Sequence, residues 1–469
     1  MTNNKHNKPT TRMSILALGM IVIVLIVGIH YSVPTIVLLI INILLLLLFS
    51  LIIKVPYKTI EEGMLHGIRE AIVSPIILIS AGVMIASWIQ GGTVPMLVYY
   101  GLGMMNVKVV LPLTFFMCGV LSACIGTSWG TAGTVGIACV SIGVGMGIPL
   151  PMMVGAAISG SIFGDKLSPL SDTTILASTT SEINIFSHVR AMSQTALPTF
   201  ALCLIAYYFL GLPYAGQGLD ITAIETVRTA LAGNFTFSVV LLLPMVLIIA
   251  MSLMKCPAIP TILLSGIMGG ILAVCVQGAS ISSALTVMNT GFSAQTGVEL
   301  VDTMLSKGGI SSMLPTVAVA ILALGMGGIL DAVGYLSPIV NFVISRLRTD
   351  KGTIIVTVLI GVILVTLITN FSVVMVIMGS MFRKVFDDRD IHRSMLSRSM
   401  EDSTTLMIPL IPWNTSCIYY MSLFGLTSPT FAPYTFFCWG NLAISLIATM
   451  CGLFVRKVKS PEEKLPGAM

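Results

Sequence analysis

The sequence predicts an all-α polytopic membrane protein with inverted structural repeats, two re-entrant hairpins and broken transmembrane helices. Three observations predict it. The 469-residue chain is 56% hydrophobic and only 9% charged, whereas soluble domains are about 25% charged. Its mean hydropathy is +1.00, and apolar runs such as 15–29 and 33–53 match the roughly 20 residues of a membrane span. Two stretches also align without gaps at a constant offset of 243, which carries Gly82 to Gly325, Pro95 to Pro338, Gly136 to Gly379 and Pro169 to Pro412. Repeats of this size are the usual build of secondary transporters. The alternating pattern of an outer-membrane barrel is absent.

In chain order, Lys5, Lys8 and Arg12 precede the first span, and Lys54, Lys58 and Arg69 follow the second. Both basic flanks belong on the cytoplasmic side. The basic start resembles a signal peptide, but no small-residue cleavage site follows and many spans do, so the first segment is retained. Residues 59–70, with Glu61, Glu62, His66 and Arg69, read as an interfacial amphipathic helix. Residues 72–105 cross outward with a break at Gly91-Gly92. An uncharged stretch centred on Gly126-Thr127-Ser128-Trp129-Gly130 then enters and leaves on the outer side as a hairpin.

The second copy behaves in the opposite sense. Arg346, Arg348 and Lys351 precede residues 352–382, and Arg383, Lys384, Arg389, Arg393 and Arg398 follow them. Two cytoplasmic flanks require a hairpin rather than a crossing, with its tip at Thr369-Asn370-Phe371-Ser372. The offset carries Gly126, Thr127 and Ser128 onto Thr369, Asn370 and Phe371, so register and charge agree on inversion. The remaining spans fall at 151–180, 192–212, 235–254, 258–277, 314–344, 402–425 and 435–455. That makes ten crossings and two hairpins, with both termini cytoplasmic. Residues 279–312 are more polar and belong outside the membrane or along its surface. The chain thus divides into N-terminal spans with the interfacial helix (1–70), a first repeat (71–212), connecting spans and loop (213–313), a second repeat (314–455) and a mobile tail (456–469).

No Asp, Glu, Lys or Arg occurs from 109 to 164. Then comes Gly164-Asp165-Lys166-Leu167-Ser168-Pro169-Leu170-Ser171-Asp172-Thr173-Thr174. A charge at the centre of a bilayer helix costs about 2.5–3.5 kcal/mol, so three such charges point to an ion or transport site. Pro169 removes a backbone donor and disfavours helix at Ser168. Freed carbonyls, the hydroxyls of Ser168, Ser171, Thr173 and Thr174, and the carboxylates of Asp165 and Asp172 are the oxygens a hard cation requires. The alternative is an Asp–Lys166 ion pair that only holds two helices together.

The partner run is Glu401-Asp402-Ser403-Thr404-Thr405, then Pro409, Pro412 and Asn414-Thr415-Ser416. The offset sets Asn414 on Ser171 and Thr415 on Asp172. A second broken helix therefore offers mainly neutral oxygens (Asn414, Thr415, Ser416) beside Asp402. For Glu401 and Asp402 the competing reading is a solvated helix start. The tips, through Thr127, Ser128, Asn370 and Ser372, are expected to meet the broken helices at the midplane. Plain helix packing is the alternative for each tip. Asp331 and Glu401 are relay candidates, with a structural carboxylate the equal alternative for Asp331.

Several classes are disfavoured. Gly126-Thr127-Ser128-Trp129-Gly130 fits a hydrolase pattern but lacks the strand-turn-helix context and a His base, so the chain does not read as an enzyme. The five histidines (His6, His30, His66, His188, His392) fall at predicted loops or interfaces without metal-ligand spacing, so neither a transition metal nor a cofactor is expected. Nine cysteines without a Cys-x-x-Cys pair read as packed thiols, and 30 methionines as core filling. The net charge of +5 reports loop orientation, not nucleic-acid binding.

The run from Gly164 to Thr174 resembles the signature segment of the NhaC-type sodium/proton antiporters of the ion-transporter superfamily, and the resemblance extends over residues 15–455. It implies a multi-pass transporter of the bacterial inner membrane, a homodimer, elevator-like movement, and Na+ and H+ as the transported ions. Asp165 and Asp172 would bind Na+ when ionised and release it when protonated, and Lys166 would pair with one of them in the absence of Na+. The family also holds exchangers of malate or lactate type, so a Na+- or H+-coupled exchanger of small carboxylates or amino acids is the alternative. Lys166, the sole intramembrane cation found for an anionic solute, favours inorganic ions.

Overall fold

The computed structural model describes residues 9–31, 33–70, 72–104, 106–169, 171–215, 221–254 and 256–458. Among the described residues the chain is helical without strands, apart from one bridge between Ile391 and Lys457. Lys5, His6, Lys8, Leu170 and residues 459–469 lie outside the described residues.

Two apolar helices, α1 (Thr11–His30) and α2 (Thr35–Ile52), precede the expected amphipathic helix α3 (Tyr57–Glu70). Its Gly63 and Gly67 lie backbone to backbone on Gly328 and Leu324; a Cβ on Gly67 would come within 2.5 Å of the Leu324 carbonyl oxygen. Next come α4 (Val73–Gln90) and α5 (Thr93–Met104). They bend by 62° at the predicted Gly91-Gly92 break, where Gly92 takes a φ of +87° that favours glycine.

The first helix–tip–helix unit comprises α6 (Val107–Ile125), the tip Gly126-Thr127, α7 (Ser128–Thr131), a π-helical turn (Ala132–Gly136) and α8 (Ile137–Gly145). Thr127 accepts from the Gly130 N–H and so starts α7. α9 (Leu150–Leu167) packs on α6 through Gly160 and Gly164, where any Cβ would overlap the Phe115 or Gly119 carbonyl. The chain turns extended at Ser168 (ψ 122°) ahead of Pro169, as a residue before proline prefers, and resumes as α10 (Asp172–Thr180).

The connecting part holds α11 (Ile185–Ala215), α12 (Ile221–Asn234), α13 (Leu243–Leu253) and α14 (Ala258–Cys275), with a 100° bend between α12 and α13. α14 runs parallel to α4, since Gly266 meets Met84 and Gly269 meets Ser87. α15 (Ile281–Thr290) and α16 (Glu299–Leu305) belong to the polar segment expected outside the membrane. The loop after them packs against α4: Gly309 N donates to the Gly82 carbonyl at 2.7 Å, at the middle of that helix. Gly308 and Gly309 both have φ +84° and no Cβ, which permits that approach.

The second half repeats the element order. After α17 (Ile310–Val333) and α18 (Ser337–Ile344) come α19 (Asp350–Ile368), the tip Thr369-Asn370 and α20 (Phe371–Asp387). The second break lies between α21 (Arg393–Ser403) and α22 (Thr415–Phe424), and α23 (Phe436–Cys451) follows. Seven described helices are long and apolar enough to cross a membrane, or nine if each bent pair is one span. Three of the seven, at Val107–Cys124, Ser128–Gly145 and Asp350–Ile368, are limbs of the helix–tip–helix units, so they do not correspond one to one with the ten expected crossings.

The expected mobility from Arg456 onward is corrected for its first residues. His392 N donates to Arg456 O at 3.0 Å, Val458 N donates to Asp390 O at 2.9 Å, and Lys457 Nζ lies 2.8 Å from Asp350 Oδ2. Arg398 also donates to the Phe454 carbonyl just before this segment.

Candidate functional site

Both tips and both breaks converge on one cavity of about 650 Å³. Asp165, Asp172 and Thr173 line it from the first break, Thr127 and Ser128 from the first tip, Asn370 and Ser372 from the second tip, and Thr415 and Ser416 from α22. Its apolar wall includes Ile77 of α4, Ile262 of α14 and Leu324 of α17.

The tips are anchored to the second broken helix. Trp129 Nε1 donates to Ser416 Oγ at 3.3 Å, and Tyr419 OH donates to the Trp129 carbonyl at 2.9 Å. The two rings stack at 4.5 Å and 8°. At the other tip, Asn414 Nδ2 donates to the Thr369 carbonyl at 2.9 Å, and Trp413 Nε1 donates to Thr366 O at 2.7 Å. Asn414 and Asn370 also cap their own helices, accepting from Ser416 N and Ser372 N.

Asp165 ends α9 with 7% of its surface exposed. The hydroxyls of Ser171 and Ser128 reach its carboxylate, while Oδ1 has no hydrogen-bond partner. Asp172 opens α10 and accepts from the Thr173 N–H at 3.0 Å. Thr173 Oγ1 and Ser171 Oγ share a hydrogen bond at 2.9 Å. Thr174 Oγ1 donates to the Asp165 carbonyl at 3.4 Å, and Ser168 is buried with its N–H on that same carbonyl.

Lys166 pairs with neither Asp165 nor Asp172, a correction to the sequence expectation. Its Nζ donates to Asp402 Oδ1 at 2.6 Å, with both side chains at 0% exposure. One residue along a helix is a turn of about 100°, so Lys166 points away from the cavity while Asp165 faces it. Asn441 Nδ2 at 3.2 Å and Ser445 Oγ at 2.5 Å, both on α23, also donate to Asp402. Arg398 Nε lies 3.9 Å away. Asp402 is thus fully engaged and is not an open ligand.

The solvated helix start proposed for Glu401 and Asp402 is overturned as well. Both sit in the last turn of α21 and are fully buried, because the helix begins earlier, at a cap formed by His392. Glu401 Oε2 accepts from Thr405 Oγ1 at 2.5 Å, and Oε1 has no partner. Asp331 is exposed on α17, under the charge of His66 on α3, and does not line the cavity. His188 lies in α11 rather than at a loop, His392 lies in the loop that caps α21, and both are buried; His188 Nδ1 and Ser397 Oγ share a hydrogen bond at 2.8 Å.

Several participants escaped the sequence reading: Arg398, Asn441 and Ser445 around Asp402, and Thr405 and Tyr420 beside the carboxylates. Signals existed. Arg398 stands four residues before Asp402, and Asn441 and Ser445 stand four apart in an otherwise apolar helix, a spacing that shares one helical face. Tyr420, buried on α22, approaches Ser128 and Asp165, and nothing in its sequence context marks it.

Charge balance follows from this list. Asp165, Glu401 and Asp402 are buried together, against the buried cations Lys166 and Arg398, while Asp172 stands exposed on the cavity wall. With all three buried acids ionised, the buried cluster lacks one positive charge. Uncompensated charge out of water is strongly unfavourable, so the site is built to take up cations, protons or both.

Comparison with known proteins agrees. The Na+/H+ antiporter family profile matches residues 7–184 and 160–453. The chain is 35% identical to a malate-2H(+)/Na(+)-lactate antiporter of Bacillus subtilis, covering 86% of each. It is 34% identical to the arginine/ornithine antiporter ArcD of Halobacterium salinarum over 86% of this chain and 83% of that one. It is 30% identical to the Na(+)/H(+) antiporter NhaC of Alkalihalophilus pseudofirmus over 98% of this chain and 99% of that one. On these grounds the chain belongs to the Na+/H+ antiporter family.

Proposed function

We propose that this protein is a secondary transporter that exchanges Na+ for H+ across the bacterial cytoplasmic membrane by alternating access. The observation that carries the reading is the missing positive charge beside Asp165 Oδ1, an unpartnered carboxylate oxygen on the wall of the cavity. Asp165 and Asp172 supply charge to the ion, and Thr127 and Ser128 supply neutral oxygens, the set a hard cation takes. A sodium ion or a proton each relieves the same deficit, so occupancy by one opposes the other and the two fluxes are coupled. The recurring element order and the basic flanks support inverted halves with cytoplasmic termini.

Proteoliposomes given an outward sodium gradient test this with a lumenal pH dye. The wild type should show sodium-driven proton movement, and Asp172→Asn should abolish it while the protein stays monodisperse. A wild type that moves no protons in response to sodium overturns the reading, and full activity in Asp172→Asn removes that residue from it.

One observation favours a second reading, a Na+- or H+-coupled exchanger of small carboxylates or amino acids. The cavity of about 650 Å³ exceeds the roughly 180 Å³ that six water molecules occupy. Malate, lactate or arginine that shifts the sodium-dependent melting temperature would select it; no shift with any of them would reject it.

A further inference from the structure

Resting on the sodium/proton reading, we infer that Glu401 is a proton-carrying residue set one layer behind the ion cavity, reached through the hydroxyl of Thr405. Glu401 is fully buried and does not line the cavity. Thr405 and Thr173 both do line it, and Thr405 Oγ1 hydrogen-bonds to Glu401 Oε2. The Thr405 bond is short, 2.5 Å. The other carboxylate oxygen, Oε1, is buried with no partner.

A hydroxyl passes a proton without passing a metal ion. Thr405 Oγ1 accepts a proton from water in the cavity and gives its own proton to Glu401 Oε2. The threonine is unchanged, the water is one proton lighter and Glu401 is neutral. A sodium ion has no such route, because Thr405 and its bond to Glu401 stand between the cavity and the carboxylate.

The charges facing Glu401 decide when it holds the proton. α9 presents Asp165 and Lys166, α21 itself presents Arg398 and Asp402, α10 presents Asp172, and α11 presents His188 against Ser397. The charged residues of α19 and α20 lie near their outer ends, and α23 has none. Lys166 and Arg398 are already taken up by Asp402. Lys166 and Asp402 act on Glu401 most directly; beyond that pair, Asp165 and Glu401 repel one another, so with Asp165 bare a proton on Glu401 limits the repulsion, and with sodium on Asp165 that proton is free to leave. The two ions are linked through the field between two carboxylates, not only through rivalry for one.

The test is equilibrium proton release on sodium binding by purified protein in weakly buffered detergent solution with a pH dye. Sodium-dependent thermal stabilisation is measured alongside. Glu401→Gln should keep the thermal stabilisation and release one proton fewer per sodium bound than the wild type. An unchanged proton count, or loss of sodium stabilisation in a well-folded Glu401→Gln protein, overturns the inference. If Glu401→Gln does not fold, Thr405→Val serves: sodium stabilisation stays while proton release in stopped flow slows by about a hundredfold, in the range general acid–base groups contribute. An unslowed release overturns the inference. A wild type without sodium stabilisation or proton release instead overturns the sodium/proton reading itself.

Discussion

In the first broken helix, α9 and α10, the carboxylates of Asp165 and Asp172 face the cavity and the ammonium of Lys166 turns away. In the second, α21 and α22, the carboxylates of Glu401 and Asp402 turn away, and Thr405, Thr415 and Ser416 face the cavity. The same break geometry thus serves two ends. One half exposes charge that a transported ion can neutralise. The other sinks its charge into the packing, where Lys166 of the first half neutralises it. The Lys166–Asp402 bridge belongs to both halves, so the asymmetry is a division of labour across one contact.

The contrast breaks most visibly at that bridge. Lys166→Met leaves Asp402 buried with only Arg398, at 3.9 Å, as a cationic partner, and should cost about 3–5 kcal/mol of stability. Thermal unfolding in detergent checks this, and Lys166→Met combined with Asp402→Leu should recover most of the loss. A double variant as unstable as the single one would mean that the bridge is not framework. A smaller effect is expected from Gly164→Ala, whose Cβ would overlap the Gly119 carbonyl and push α9 from α6. About 1–3 kcal/mol is expected for such overpacking, and sodium affinity should fall because Asp165 follows directly in the chain. The smallest effect belongs to the caps. Asn370→Ala should cost about 1 kcal/mol. Asn414→Ala should cost more, since it also loses the bond to Thr369 O. Equal costs would show that tip and break are not tied through Asn414.

Much of this was legible in the residues. Glycines, prolines and the offset located both tips and both breaks, because backbone limits are local and leave a mark wherever they act. The bend at Gly91-Gly92 and the helix at 59–70 were readable for the same reason. The partner of Lys166 was not. It depends on which way α9 is rotated against α21 and α23, with Asp402 of α21 236 residues away in sequence, and no local pattern states that. The packing of the loop at Gly308-Gly309 against α4 was hidden by the polarity of its neighbours, since polar composition signals water and not close backbone packing. Glu401 and Asp402 misled because acid-rich turns are more common where helices begin, and here they end one.

The segment 456–458 clipped beside the start of α21 has a practical meaning. Arg398 reaches both the Phe454 carbonyl and the Asp402 carboxylate, so a short mechanical linkage joins the chain's last described residues to its deepest ion pair. A fusion or affinity tag placed immediately after Val458 would pull on that linkage, whereas one joined through a long flexible spacer would leave it slack.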